Sequence, residues 1–144
     1  MNILRNILAC VIGLVIGSAV NLTLVNVGPS IIPPPTGVDV SDMDSLKSTM
    51  HLFEPRHFIF PFLAHSLGTL AGAVTAFLIA ASHREMLAYI IGTAFFAGGI
   101  AASYMLPAPT WYIVVDLVGA YFPMAWIGSR LARRFVPGAG SDNG

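Results

Sequence analysis

Four stretches, 7–27, 58–82, 86–106 and 111–131, are apolar almost throughout, and only Asp116 and Arg130 among them carry a formal charge. A helix needs about 20 mostly apolar residues to cross a bilayer core. This pattern predicts an all-α polytopic membrane protein, a bundle of four transmembrane helices. The rest of the composition agrees. Of 144 residues, 56% are hydrophobic and 10% charged, against about 25% charged in an ordinary soluble domain. Too few polar side chains are present to coat a water-facing surface. Seven basic residues balance seven acidic ones, so the chain has no basic face for nucleic acid. Its length sets one domain, residues 1–136, followed by a Gly-, Ser- and Asp-containing tail, 137–144, of disordered composition.

The lone cysteine, Cys10, excludes an intramolecular disulfide. Residues 7–10 faintly resemble a lipoprotein cleavage site, but nine residues before the cysteine are too few for a charged and an apolar region. A cleaved secretory signal is the stronger competitor, with Arg5 ahead of the apolar run and Gly17 and Ala19 as small residues. Leu22, Leu24 and Val25 continue the run to spanning length, which favours a retained helix.

Basic residues set the expected orientation. Arg5, Arg84, Arg130, Arg133 and Arg134 fall on one side and Lys47 and Arg56 on the other, five against two. The positive-inside rule then puts both termini in the cytoplasm. Loop 28–57 faces outward, and Trp111 and Tyr112 begin the fourth span where aromatic anchors belong. The arginine cluster at 130–134 reads as a stop-transfer flank able to meet anionic lipid heads. Within the outer loop, Pro33, Pro34 and Pro35 form a stiff segment. Ser41 and Asp44 read as a helix start. Met43, Leu46, Met50 and Phe53 recur at helical spacing, so an amphipathic helix is expected over 42–53, ended before Pro55 and resting on the outer ends of the bundle.

Lipid tails supply no hydrophobic drive between helices, so small residues must let backbones approach. Gly13 and Gly17 do this on the first span. Ala64, Gly68, Gly72 and Ala76 form a ridge on the second, and Ala94, Gly98 and Ala102 one on the third. Such ridges serve the bundle itself, a membrane-protein partner or a second copy. Pro123 is expected to kink the fourth span and free the carbonyl of Gly119, whereas Pro61 lies in a first turn where a missing amide costs little.

Two groups of residues carry candidate chemistry. His51, Glu54 and His57 have His-x-x-Glu-x-x-His spacing and metal-ligand chemistry. On an unbroken helix they would share a face, but Pro55 interrupts them, and solvated loop polarity is the favoured reading. The second group follows from depth. At 1.5 Å rise per residue, His65 lies about 10 Å inside the outer end of its span, Asp116 about 8 Å, Asn21 about 9 Å and Ser103 about 5 Å. All four helices thus place a polar group in the outer layer, while the inner half offers little beyond Thr75 and Thr93. Ionisable groups inside a span face the protein interior or a wet cavity and mark function by default. The favoured reading is that the four groups hydrogen-bond one another and hold the bundle, at about 0.6 kcal/mol per bond. The other, which Asp116 keeps open, is a ligand or proton site open to the outside.

The run from His51 through Glu54, Pro55, His57 and Pro61 to His65, the following Ser66 to Gly72, the loop 31–40 and the Leu106-Pro-Ala-Pro-Thr-Trp-Tyr turn before Asp116 resemble small four-helix bacterial inner-membrane proteins of unassigned function. The resemblance implies the topology and no activity. No phosphate-binding loop, paired cysteines, nucleophile elbow or dinucleotide fingerprint occurs, so no cofactor is indicated. The favoured expectation is a non-catalytic accessory subunit or a binder of a small ligand or lipid. The alternative is a membrane enzyme or an oligomeric transporter using His65 and Asp116, with or without a metal.

Overall fold

The computed structural model describes residues 2–136. The tail 137–144 and its expected disorder lie outside them. The elements are α1 (Asn2–Ile31), α2 (Met43–Thr49), two 3₁₀ turns (Met50–Leu52 and Pro55–Phe58), α3 (Ile59–Ile79), α4 (Arg84–Met105), α5 (Thr110–Gly119) and α6 (Phe122–Arg133). No strand occurs among the described residues. Four segments are long and apolar enough to cross a membrane: α1, the second 3₁₀ turn with α3, α4, and α5 with α6. The chain is therefore an all-helical, multi-pass membrane protein.

α1 is longer than the apolar run alone predicts. Nothing at 2–6 breaks a helix, and the Ile32 amide still donates to the Gly28 carbonyl (2.8 Å) before the proline run begins. The extra first turn clamps the end of α3. Asn6 accepts from the amides of Ala81 (2.9 Å) and Ser82 (3.3 Å) and donates to the Ser82 hydroxyl (3.0 Å). Arg5 donates to the carbonyl of Ile79 (2.7 Å), and Arg84 to that of Phe77 (2.9 Å). The last carbonyls of a helix lack internal partners and carry partial negative charge. Cationic donors satisfy both needs, so these arginines have a structural duty at the end of the bundle that holds the start of α1. At the same end, Arg133 on α6 pairs with Glu85 on α4.

α1 packs antiparallel along α3, with α3 central and in contact with α4 and α6. The seam consists of the expected glycines. A Cβ added at Gly13 would lie 2.8 Å from the Gly72 carbonyl oxygen, and one at Gly68 would lie 2.9 Å from that of Gly17. On α4 the expected ridge faces the wrong way. Ala94 and Gly98 are exposed, and a Cβ at Gly98 would meet nothing within 4 Å. The packing face is instead Ala88, Ile91, Gly92 and Gly99, with Gly92 set against Ala125 of α6. Ala73, Ala76, Ala88, Ile91 and Ala125 form a fully buried core. Large side chains such as Val15 and Val118 point outward, as a lipid-facing surface requires.

The kink expected at Pro123 is a complete break. α5 ends at Gly119, residues 120 and 121 form a bend (Tyr121 φ −118°, ψ −78°), and Pro123 sits in the first turn of α6. The proline ring would collide with the carbonyl four residues back, which is that of Gly119.

The loop helix is shorter than expected. α2 covers only Met43–Thr49 and gives way to a 3₁₀ turn. Ser48 and Thr49 hydroxyls bond back to carbonyls at 44 and 45, a habit that weakens helices. Its cap is Asp42, which accepts from the amides of Asp44 and Ser45, and not Ser41. Ser41 instead donates its hydroxyl (2.6 Å) and amide (2.9 Å) to Asp39 and holds that carboxyl below its ordinary range. Met50 is buried, Leu46 and Phe53 half-buried, and Lys47 exposed, as amphipathic spacing predicts; Met43 is exposed against that pattern. In a Cys10→Ser background, cysteine at 47 is expected to react with a water-soluble maleimide several-fold faster than cysteine at 46. Equal rates would show that this segment does not rest on the bundle.

Candidate functional site

Asp116 sits in the middle of α5 and is 4% exposed. A buried carboxylate is tolerated only when its oxygens are matched by donors or an opposite charge. His65, two turns into α3, supplies one: its Nδ1 lies 2.9 Å from both Asp116 oxygens. Tyr121 donates its hydroxyl to Oδ2 (2.8 Å), and the Tyr112 hydroxyl reaches Oδ1 at 3.5 Å. The depth arithmetic therefore brings the correct pair together.

Tyr112 lies one turn before Asp116 on the same face, but Tyr121 is five residues after it. On a continuous helix a five-residue step rotates a side chain about 140° away. The break after Gly119 swings Tyr121 back toward the carboxylate. Room for it exists because α4 has no side chain at Gly99, where a Cβ would run into the phenol. Tyr121 is 1% exposed, its ring 5.9 Å from that of His65 and edge-on to Phe96 at 5.8 Å. Sequence reasoning missed this residue. The signal was Pro123, which forbids a helix running through Gly119 and so changes which residues follow Asp116 on its face.

The pair forms the floor of a cavity of about 420 Å³ at the loop end. Its walls come from the far half of α1, the start of α3, the end of α4 and α5, and its roof from the 32–58 segment. Val25, Ile32, Leu46, Phe53 and Phe60 make it largely apolar. A buried cluster of Met50, Phe58 and Tyr112 pins the roof to α5, with the Phe58 and Tyr112 rings 4.6 Å apart. Small-molecule sites have this character: about 300–1,000 Å³, apolar walls and a few converging polar groups.

The other expected site residues divide. Ser103 lines the cavity, its hydroxyl bonded to the Ile100 carbonyl at 2.7 Å. Asn21 has the right height but the wrong face: it sits on the α1–α3 seam beside Gly68, outside the cavity lining. His51, Glu54 and His57 do not gather. Pro55 opens a new 3₁₀ turn in which the Glu54 amide donates to His57 Nδ1 (2.9 Å) and the Glu54 carboxylate caps His57 and pairs with Arg56 (3.0 Å). Among the described residues no group of three His, Cys, Asp or Glu side chains is arranged to hold a metal ion. That corrects the metal reading of this spacing.

An ionised carboxylate only accepts hydrogen bonds, so the Asp116 contact calls for a proton on His65 Nδ1 and orients the ring. Nε2 is then the free nitrogen of a side chain that lines the cavity and is 23% exposed. Beneath the pair the interior closes over Ala73, Ala76, Ile91 and Ala125, each fully buried. No protein-family model matches this chain, and comparison with curated proteins and with solved structures finds no match.

Proposed function

We propose that this chain is a non-catalytic binder of a small amphiphile, an accessory protein of a bacterial inner membrane with both termini in the cytoplasm. The observation that carries the reading is the cavity of about 420 Å³, apolar in its walls and polar at its His65–Asp116 floor. An apolar body enters such walls favourably, and one polar group at the floor fixes its orientation. The closed alanine core beneath the pair argues against a transport path through a single copy, and among the described residues no Ser, Thr or Cys side chain is hydrogen-bonded to the His65 ring to support an enzyme. The five-to-two basic asymmetry supports the orientation, and the resemblance to small four-helix inner-membrane proteins supports the location. An accessory role fits a small chain whose α4 leaves Ala94 and Gly98 uncovered for a membrane neighbour.

Two measurements test this. A reporter fused after Val136 is expected to be active in a cytoplasmic assay and silent in a periplasmic one; the reverse would overturn the orientation. Mass spectrometry of the full chain purified in mild detergent is expected to find a co-purifying small amphiphile. Ala102 lines the cavity, so Ala102→Phe should remove that molecule while the protein stays folded. Equal retention by the variant would end the binding proposal.

A further inference from the structure

The composition of the cavity wall restricts what it can hold. Among its lining residues there is no Lys or Arg, and the single carboxylate is Asp116. An anionic head such as a phosphate or carboxylate would meet no fixed positive charge there and would approach a buried negative one. The Asp116 oxygens are also already engaged by His65 and Tyr121, with Tyr112 at the edge of reach. The carboxylate therefore orients the imidazole and offers little to a ligand itself.

Of the floor pair, what remains is His65 Nε2; the other polar wall residues are Asn26, Ser41, His57 and Ser103. In the neutral imidazole with Nδ1–H directed at the carboxylate, Nε2 presents a lone pair, which needs a donor. We infer that the cavity selects an uncharged amphiphile with a hydroxyl head, which donates to His65 Nε2 while its apolar body lies among Phe53, Phe58 and Phe60. This inference rests on the binding reading above and names its ligand class. The volume, at the low end of small-molecule sites, suits one ring or one short chain. A hydroxyl also discriminates: a site built to bond one rejects the analogue that lacks it, because the site's own polar atom is left unpaired.

The test uses three probes of matched apolar body: para-hexylphenol, its methyl ether para-hexylanisole, and para-hexylbenzoate. Each is titrated into the purified full chain in mild detergent and followed by intrinsic fluorescence. The phenol is expected to bind saturably and about tenfold more tightly than the ether, the value of one buried hydrogen bond, and more tightly than the benzoate. His65→Asn separates positioning from recognition. Its amide can still donate to Asp116 from near the Nδ1 position, but it carries nothing at the position of Nε2. This variant is expected to remain folded and to bind phenol and ether alike. Equal binding of all three probes by the unmodified protein, or a preference for the benzoate, would overturn the hydroxyl assignment and leave the cavity a binding site. Saturable binding by none of them, together with no co-purifying amphiphile, would overturn the binding proposal itself. An unchanged phenol preference in His65→Asn would remove His65 as the recognising group. Phenol and a long-chain lipid alcohol share this chemistry; competition by 1-octanol added in micelles, but not by glycerol in the buffer, would assign the natural ligand to the bilayer, and the reverse to the aqueous side.

Discussion

Gly17→Ala is expected to destabilise the bundle by about 1–3 kcal/mol, the usual cost of forcing an extra methyl into a packed interior. The added Cβ would lie 2.6 Å from the Gly68 carbonyl oxygen and 2.8 Å from the Phe95 ring. A flexible side chain could yield, but the carbonyl belongs to the backbone of α3 and the opposing glycine has no side chain to move. α1 and α3 must therefore separate, and in a bilayer close packing is the main attraction between them. Gly98→Ala is the control. It adds the same methyl to a neighbouring helix, where nothing lies within 4 Å, and should leave the thermal midpoint of the detergent-purified protein unchanged or slightly higher. Equal losses in the two variants would refute the glycine seam.

The spans were legible because the length of an apolar run is almost sufficient to define a membrane helix. Which face of a span packs was only partly legible. In α4 small residues lie on two faces, and a helix apolar all round gives no periodicity to choose between Gly92 with Gly99 and Ala94 with Gly98. Depth counting met a similar limit. It fixes height along a helix and not direction around it, so it joined His65 to Asp116 but also drew in Asn21, which turns toward the seam. The His51, Glu54 and His57 spacing failed because it assumed one continuous helix where Pro55 starts a new turn. Tyr121 was hidden for the opposite reason: a continuous helix was assumed through residues 120–121, where the chain breaks. The roof of the cavity was least legible, since it depends on aromatic contacts between Phe58 and Tyr112, far apart in sequence.

His65 and Asp116 are expected to be energetically coupled, and their double-mutant cycle should show it. Asp116→Ala removes the acceptor of the His65 ring nitrogen and the Tyr121 hydroxyl at once. Donors buried without partners cost about 1–3 kcal/mol, so this single change should rank with the glycine seam. His65→Ala leaves the carboxylate with the two tyrosines alone, and an underfilled buried carboxylate is again unfavourable. In the double variant neither group remains to be left unpaired. Its loss should fall short of the sum of the single losses by about 0.5–3 kcal/mol, the range for residues in one hydrogen-bond network. The coupling should also survive high salt, because a pair with side chains 6% and 23% exposed is screened far less than the solvent-facing Glu54–Arg56 pair. Thermal unfolding of the four proteins at two ionic strengths measures both quantities. Additive losses would mean that the 2.9 Å contact contributes nothing beyond its separate halves, and a coupling abolished by salt would mean that water reaches the floor of the cavity freely.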